Sequence, residues 1–266
     1  MASNQLTVLM YHALFDSAGL CEDADPHYAV TLQSFLRHLA ALKAAGMRAS
    51  SVADIFACGG MHADRIAITF DDGHASNSGA AVAITESQGT ADLFINPETV
   101  GKSNYLDWTA LRDLAKAGIS VQSHGHTHRY FDELSEADIE YELAVSKSTI
   151  EDRLGTSVTL FAPPGGRLTS RVSAIAERLG YRGICASQVG LWQVDGSPWN
   201  IPRFAVLATT TDEQLLRWAT QDRLEIAKLK MRHRVLATAK QLLGNRGYER
   251  LRASLLRQSE TAENTR

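Results

Sequence analysis

Three short runs concentrate the side chains able to do chemistry, and each follows an apolar stretch. The first is Thr69-Phe70-Asp71-Asp72-Gly73-His74. Two adjacent carboxylates repel each other unless something cationic neutralises one of them. Successive side chains leaving a strand point in different directions, so one carboxylate can bind a metal while the other stays free as a base. A turn whose aspartate caps the next helix is the alternative use of the same residues. The second run is Ser123-His124-Gly125-His126-Thr127-His128. In an extended chain His124 and His128 would stand roughly 13 Å apart, too far to share an ion. One helical turn would bring them onto one face, within reach of one metal, with His126 pointing away. Two imidazoles and one carboxylate leave coordination positions open, as a hydrolytic metal requires. The third run, Phe161-Ala162-Pro163-Pro164-Gly165-Gly166-Arg167, is a rigid loop that a backbone can approach closely. It suits a pocket wall that offers an N–H, or simply a tight strand-to-helix connection.

The elements that must position these runs alternate along the chain. Leu6–Tyr11, Ile66–Phe70, Ala91–Ile95, Ile119–Gln122, Val158–Phe161, Tyr181–Ala186 and Phe204–Leu207 read as strands. Helices are predicted over Leu32–Ala45, Asn77–Gln88, Asp107–Ala117, Glu136–Leu154, Thr169–Leu179 and Asp212–Thr220. Such alternation implies a mostly parallel sheet, and function in such sheets gathers at the carboxyl ends of the strands. About seven strands, with no Gly-x-Gly-x-x-Gly after the first, favour a barrel over a dinucleotide-binding fold.

Composition closes off other classes. The 266 residues are 44% hydrophobic and 21% charged, a globular balance without a membrane-spanning apolar run. Cys21, Cys58 and Cys185 form no CxxC pair, which suggests neither a disulfide framework nor a thiolate zinc site. Residues 222–266 hold 11 Lys and Arg against 5 Asp and Glu; this net +6, within a whole-chain −3, leaves −9 on the body. An acidic body argues against nucleic acid as partner. The tail repeats Leu224, Met231, Val235 and Leu242 at helical spacing among basic residues. It reads as a basic helical extension, packed on the body or touching an anionic membrane surface or a partner protein. The first Lys or Arg is Arg37, so the chain shows no basic leader, and the expectation is a cytoplasmic protein, peripheral to the membrane if the tail binds it.

Leu9-Met10-Tyr11-His12, Thr69-Phe70-Asp71-Asp72-Gly73, the His124/His128 pair and the Pro-Pro-Gly-Gly loop occur in that order. Together they resemble the polysaccharide deacetylase family (carbohydrate esterase family 4) across roughly residues 5–220. The resemblance implies an α/β fold, a distorted (β/α) barrel of the polysaccharide deacetylase type, with residues 1–221 as the catalytic domain and 222–266 as a C-terminal helical extension. It implies a divalent metal, most often Zn2+, held by Asp72, His124 and His128, with Asp71 as the base. A backbone N–H of the third loop, here Gly165, would then hold the oxyanion.

The departures from the family pattern are specific. Ala162 stands where the third motif carries an arginine that orients the base, and Gly165 where it carries an aromatic. Arg167 and Arg203 are the candidate replacements for the arginine. The late Leu-x-His that supplies the general acid has no counterpart in Val206-Leu207-Ala208-Thr209-Thr210. His12, at the end of the first strand, is the replacement candidate for acid or substrate contact, ahead of His74 and His126. Trp192 and Trp199 are candidates for a sugar-stacking surface. The expected activity is metal-dependent removal of acetyl groups from N-acetylated sugars of a polysaccharide or its precursor. The alternatives are a non-catalytic carbohydrate-binding protein on the same fold and a hydrolase of non-sugar amides.

Overall fold

The computed structural model describes residues 4–15, 26–58 and 64–234. Twelve strands occur in chain order: β1 Gln5–Leu6, β2 Val8–Tyr11, β3 Leu14–Phe15, β4 Val30–Thr31, β5 Arg48–Ser50, β6 Arg65–Phe70, β7 Asp92–Ile95, β8 Ser120–Ser123, β9 Leu160–Phe161, β10 Gly183–Ile184, β11 Trp192–Gln193 and β12 Phe204–Ala205. The main sheet is parallel, ordered β10-β9-β8-β7-β6-β2-β12, with β5 pairing the start of β6. Two small pairs, β1 with β11 and β3 with β4, lie outside it.

One segment brings the two edges of the sheet together. Ile201 bridges Cys185, just past β10, while Phe204 and Ala205 pair with Leu9 and Met10 of β2. The sheet therefore curls into the expected distorted barrel, with residues 201–205 as its seam. The strand period of two then divides each strand into inward and outward side chains. On β6, Ala67 joins the interior cluster with Val8, Phe94, Leu160, Cys185 and Ile201. Phe70 faces outward onto Phe35 and Tyr11. The same alternation aims Asp71 inward at the carboxyl end of the barrel. Runs such as Val8–Tyr11 and Asp92–Ile95 are buried at every position, as strands covered on both faces must be.

Among the described residues of the first 222, the helices are α1 Leu32–Ala44, α2 Val52–Cys58, α3 Asn77–Glu86, α4 Trp108–Lys116, α5 Glu136–Leu154, α6 Ser170–Arg178 and α7 Asp212–Ala219. Their starts follow capping chemistry. Thr31, Asp107, Ser135, Thr169 and Thr211 each accept a first-turn backbone N–H. Helix α5 stops at Gly155, which takes the left-handed conformation (φ 69°) that closes a helix. Several strands are shorter than the sequence predicts, and for β9 the reason is local: the Gln122 side-chain oxygen accepts the N–H groups of both Thr159 and Leu160 at 2.8 Å. A side chain replaces the ladder there, and β9 begins only at Leu160.

The chain divides into two compact units, residues 1–222 and 223–266. In the second, residues 223–234 are helical, with Leu224 and Met231 exposed. Val235, Leu242 and the rest of the tail pattern lie outside the described residues, as does Cys21. The thiols of Cys58 and Cys185 are unpaired. Among the described residues no helix is long and apolar enough to cross a membrane.

Asp92 shows how a buried carboxylate serves the fold. It is fully buried and accepts the first N–H groups of α2, from Val52 and Ala53. Burial pushes its carboxyl up to about 7 from 3.8, partly opposed by those N–H donors and by Ser120. The folded state thus binds a proton that the unfolded chain has already released, and stability falls as pH rises between about 4 and 7. Asp92→Asn should flatten this slope. In denaturant unfolding, the variant should gain on wild type across that window by on the order of 4 kcal/mol. Parallel curves would remove Asp92 as the cause.

Candidate active site

The two carboxylates of the first run are separated by the backbone. Asp71 continues the strand direction, its N–H bonded to Tyr11 O at 2.9 Å. Asp72 and Gly73 then both adopt left-handed conformations, φ 73° and 72°. Aspartate is among the few non-glycine types that tolerate this. Glycine is required next, because a Cβ on Gly73 would lie 2.8 Å from the Ile95 side chain. The turn sends the two side chains to different partners.

Asp71 is buried and paired with Arg203, which is also buried. The guanidinium donates from two nitrogens to both Asp71 oxygens, at 2.6 and 2.8 Å. It also donates to Ala186 O and Thr69 Oγ1, and it sits 5.6 Å from the Phe94 ring centre. Burial alone would push the Asp71 carboxyl up. The charges of Arg203, His124 and His12, together with the Arg203 hydrogen bonds, outweigh it and hold Asp71 below the usual range. The carboxylate stays ionised, and each oxygen keeps a lone pair beyond its bond to Arg203. Of the two arginines offered by the sequence, Arg203 therefore faces Asp71. Arg167 pairs instead with Asp132 and Glu133.

Asp72 meets the histidine pair. His124 Nε2 and His128 Nε2 each lie 3.2 Å from Asp72 Oδ1. The three potential ligand atoms are all within 4.8 Å of one another. Burial raises the Asp72 carboxyl, but bonds from both histidines pull it well below the usual range. Burial lowers His128, and its bond to Asp72 more than reverses this, so its imidazole is raised.

The expected helical turn is absent; residues 124–130 form an irregular loop. Left-handed residues at Gly125 (φ 83°) and His128 (φ 61°) bend the chain back on itself. Two buried side chains hold the bend. Asn96 donates to the carbonyls of His124 and Gly125, at 2.6 and 3.1 Å. Glu142 of α5 accepts the N–H groups of His126 and Thr127, at 2.7 and 2.8 Å, and the Thr127 hydroxyl. The loop saturates Glu142, and Glu142 replaces the intrahelical bonds that the loop lacks. Neither residue stands out among the motifs. Glu142 does leave a trace in the sequence: it lies on the same face of α5 as Ile139, Leu143, Ser146 and Ile150, where a charge is out of place.

The remaining candidates are placed as follows. His12 is half-buried against Tyr28, ring centres 4.5 Å apart, and its Nδ1 is buried without a hydrogen-bond partner among the described residues. Its charge bears on both Asp71 and Asp72. Gly165 is left-handed (φ 63°). The next N–H, from Gly166, is committed to Pro163 O at 2.8 Å, which leaves Gly165 as the donor that loop can offer. His126 packs on Tyr141, and His74 bonds Ser76 beside Phe15 and Tyr105. Trp192 is core, packed on Phe56, and provides no stacking surface; Trp199 is half-buried.

The family model described as polysaccharide deacetylase matches residues 59–184. That segment contains the Asp71/Asp72 run, both metal-type histidines and the Pro-Gly loop, but neither His12 nor Arg203. YxkH of Bacillus subtilis (strain 168), provisionally named a polysaccharide deacetylase, is 28% identical over 118 residues. The match spans 44% of this chain and 42% of that relative, less than half its length. The deacetylase PplD of Streptococcus pyogenes, solved with acetate, superposes with a TM-score of 0.73 at 20% identity, covering 81% of this chain and 98% of its own. A Bacillus cereus polysaccharide deacetylase gives 0.73 at 22%, covering 81% and 69%. IcaB from Ammonifex degensii gives 0.66 at 19%, covering 81% and 96%. The family resemblance and the barrel are both borne out.

If Glu142 shapes the loop, its loss should be felt at the histidines. Glu142→Ala should weaken Zn2+ binding about 10- to 100-fold, the usual effect of removing support behind metal ligands. Competition against a chromophoric chelator measures it. Unchanged affinity in a folded variant would exclude the role.

Proposed function

We propose that this chain, which resembles the polysaccharide deacetylases over residues 59–184, is a metal-dependent hydrolase that removes acetyl groups from N-acetylated sugars of a polysaccharide or its precursor. The observation that carries this reading is the division of labour between neighbours: Asp72 meets two imidazoles and Asp71 meets a buried arginine.

The first set fits a divalent cation. Two imidazole nitrogens converge on a single carboxylate oxygen, a combination of donors that suits zinc and leaves positions open. Asp72, His124 and His128 would hold such an ion, which would supply a lowered water pKa and a polarised acyl oxygen. Asp71 then accepts the proton of the attacking water. Arg203 fixes the orientation of that carboxylate and keeps it ionised. The Gly165 N–H is assigned to the developing oxyanion. His12 is assigned to protonate the leaving amine, in place of the late histidine the family pattern leads one to expect.

We take residues 1–221 as the catalytic domain. The apolar residues of 222–266 at helical spacing and the basic residues among them support a membrane-surface or partner contact.

Acetate release from N-acetylglucosamine oligomers, measured with metal content, tests the reading. Wild type should release acetate with one metal ion per chain and lose activity to a chelator. Asp71→Asn should keep the metal and lose at least about 100-fold in kcat. Arg203→Lys removes the two-pronged contact that favours ionised Asp71. Its carboxyl pKa should rise, moving the acid limb of the pH–rate profile to higher pH. Oligomer binding without acetate release from metal-loaded wild type would replace this reading with the carbohydrate-binding alternative.

A further inference from the structure

Tyr130 lies two residues beyond His128 with 43% of its surface exposed. Its position is nevertheless fixed. The Arg167 guanidinium lies 3.8 Å from its ring centre. Arg167 is itself pinned by Glu133 at 2.7 Å and Asp132 at 3.3 Å. The Cε1 edge of the ring rests on Gly165, where an added Cβ would come within 2.9 Å. The left-handed glycine therefore does two things: it shapes the third loop and it makes room for the ring.

The fold brings these parts together at the rim. Ser123 at the end of β8 pairs with Phe161 at the end of β9. The loops that leave those strands carry His128 and Tyr130 on one side and Gly165 and Arg167 on the other. Phe131 anchors the first loop by packing on Phe161, centres 4.8 Å apart. The guanidinium covers one face of the ring and Gly165 lies against one edge, while 43% of the residue stays exposed. The two carboxylates more than offset the Arg167 charge, so the support behind the ring carries no free cation.

The geometry points to Tyr130, backed by Arg167 and admitted by Gly165, as the platform that stacks a neutral pyranose ring next to the sugar that is cut. This rests on the deacetylase reading for which bond is cut. The chemistry of the platform is that of a saccharide's apolar ring face: an aromatic takes such a face by dispersion and gains most where the ring is already held. An anionic polymer would meet no free cation there, because Arg167 is already paired with two carboxylates. The platform also explains how a glycine can stand where the family pattern places an aromatic, since Tyr130 fills the adjacent space from another strand.

The test compares wild type with Tyr130→Ala and Tyr130→Phe on two substrates, N-acetylglucosamine oligomers and a small aryl acetate that cannot span the platform. Calorimetric binding of the oligomers is measured alongside. For Tyr130→Ala, KM for the oligomers should rise about ten-fold with little change in kcat, the pattern for a binding contact made equally in ground and transition states. The loss on the aryl acetate should be several-fold smaller. Oligomer affinity should fall in step with KM, and Tyr130→Phe should restore it. Equal losses on both substrates, or a drop in kcat alone, would mark Tyr130 as a structural support and overturn the proposal. So would oligomer affinity insensitive to Tyr130, or no oligomer binding by wild type. Acetate release by wild type judges the deacetylase reading separately, because calorimetry reads the platform whether or not the amide is cut.

Discussion

A buried carboxylate needs a reason to stay charged, and in this barrel the reason is Arg203. Bringing Asp71 out of water costs several kcal/mol, and pairing recovers that cost only with close geometry and further hydrogen bonds. The guanidinium meets both conditions: it grips both Asp71 oxygens through Nη1 and Nη2, donates from Nε to Ala186 O, and donates from Nη1 to Thr69 Oγ1 as well. It is delivered by residues 201–205, the segment that joins the two edges of the sheet. Closing the barrel and keeping Asp71 ionised are thus one structural event. With Asp71 neutralised by Arg203, the adjacent Asp72 is released to face the histidines, and two carboxylates one residue apart acquire different chemistry.

The second constraint is backbone strain placed where the ligand-type residues stand. Asp72 and His128 both occupy the left-handed region, at a cost of order 1–3 kcal/mol each for non-glycine residues. Surrounding contacts hold them there. Gly73 fits against Ile95, and Asn96 and Glu142 take up the polar groups of the histidine loop. Burying Glu142 would itself be unfavourable without its three donors, so loop and acid stabilise each other. The result is a site whose ligand atoms are already converged.

Much of this was legible in the chain, for identifiable reasons. Parallel strands covered on both faces read as apolar runs, and Thr, Ser and Asp announce the helix starts, so the alternation and the barrel followed. The start of β9 did not, because the Gln122 side chain takes over the ladder there. The pairing of His124 with His128 was legible from their spacing, but not by the helical turn first inferred. Two left-handed residues perform that task, and only Gly125 advertises one of them. Arg203 could be offered beside Arg167 but not chosen, since 132 residues separate it from Asp71 and only the seam unites them. Asn96 and Glu142 act on backbone groups through space, which motif spacing does not encode. Trp192 was open to a surface role until its burial against Phe56 removed it.

The central claim is that one ion sits with Asp72, His124 and His128 while Asp71 stays with Arg203. The most direct measurement is anomalous diffraction at the zinc edge from crystals of the zinc-loaded protein. The account predicts a single strong peak among Asp72 and the two Nε2 atoms, with Asp71 still gripped by Arg203 and outside the ligand set. A peak ligated by Asp71, or no peak at this triad, would contradict it.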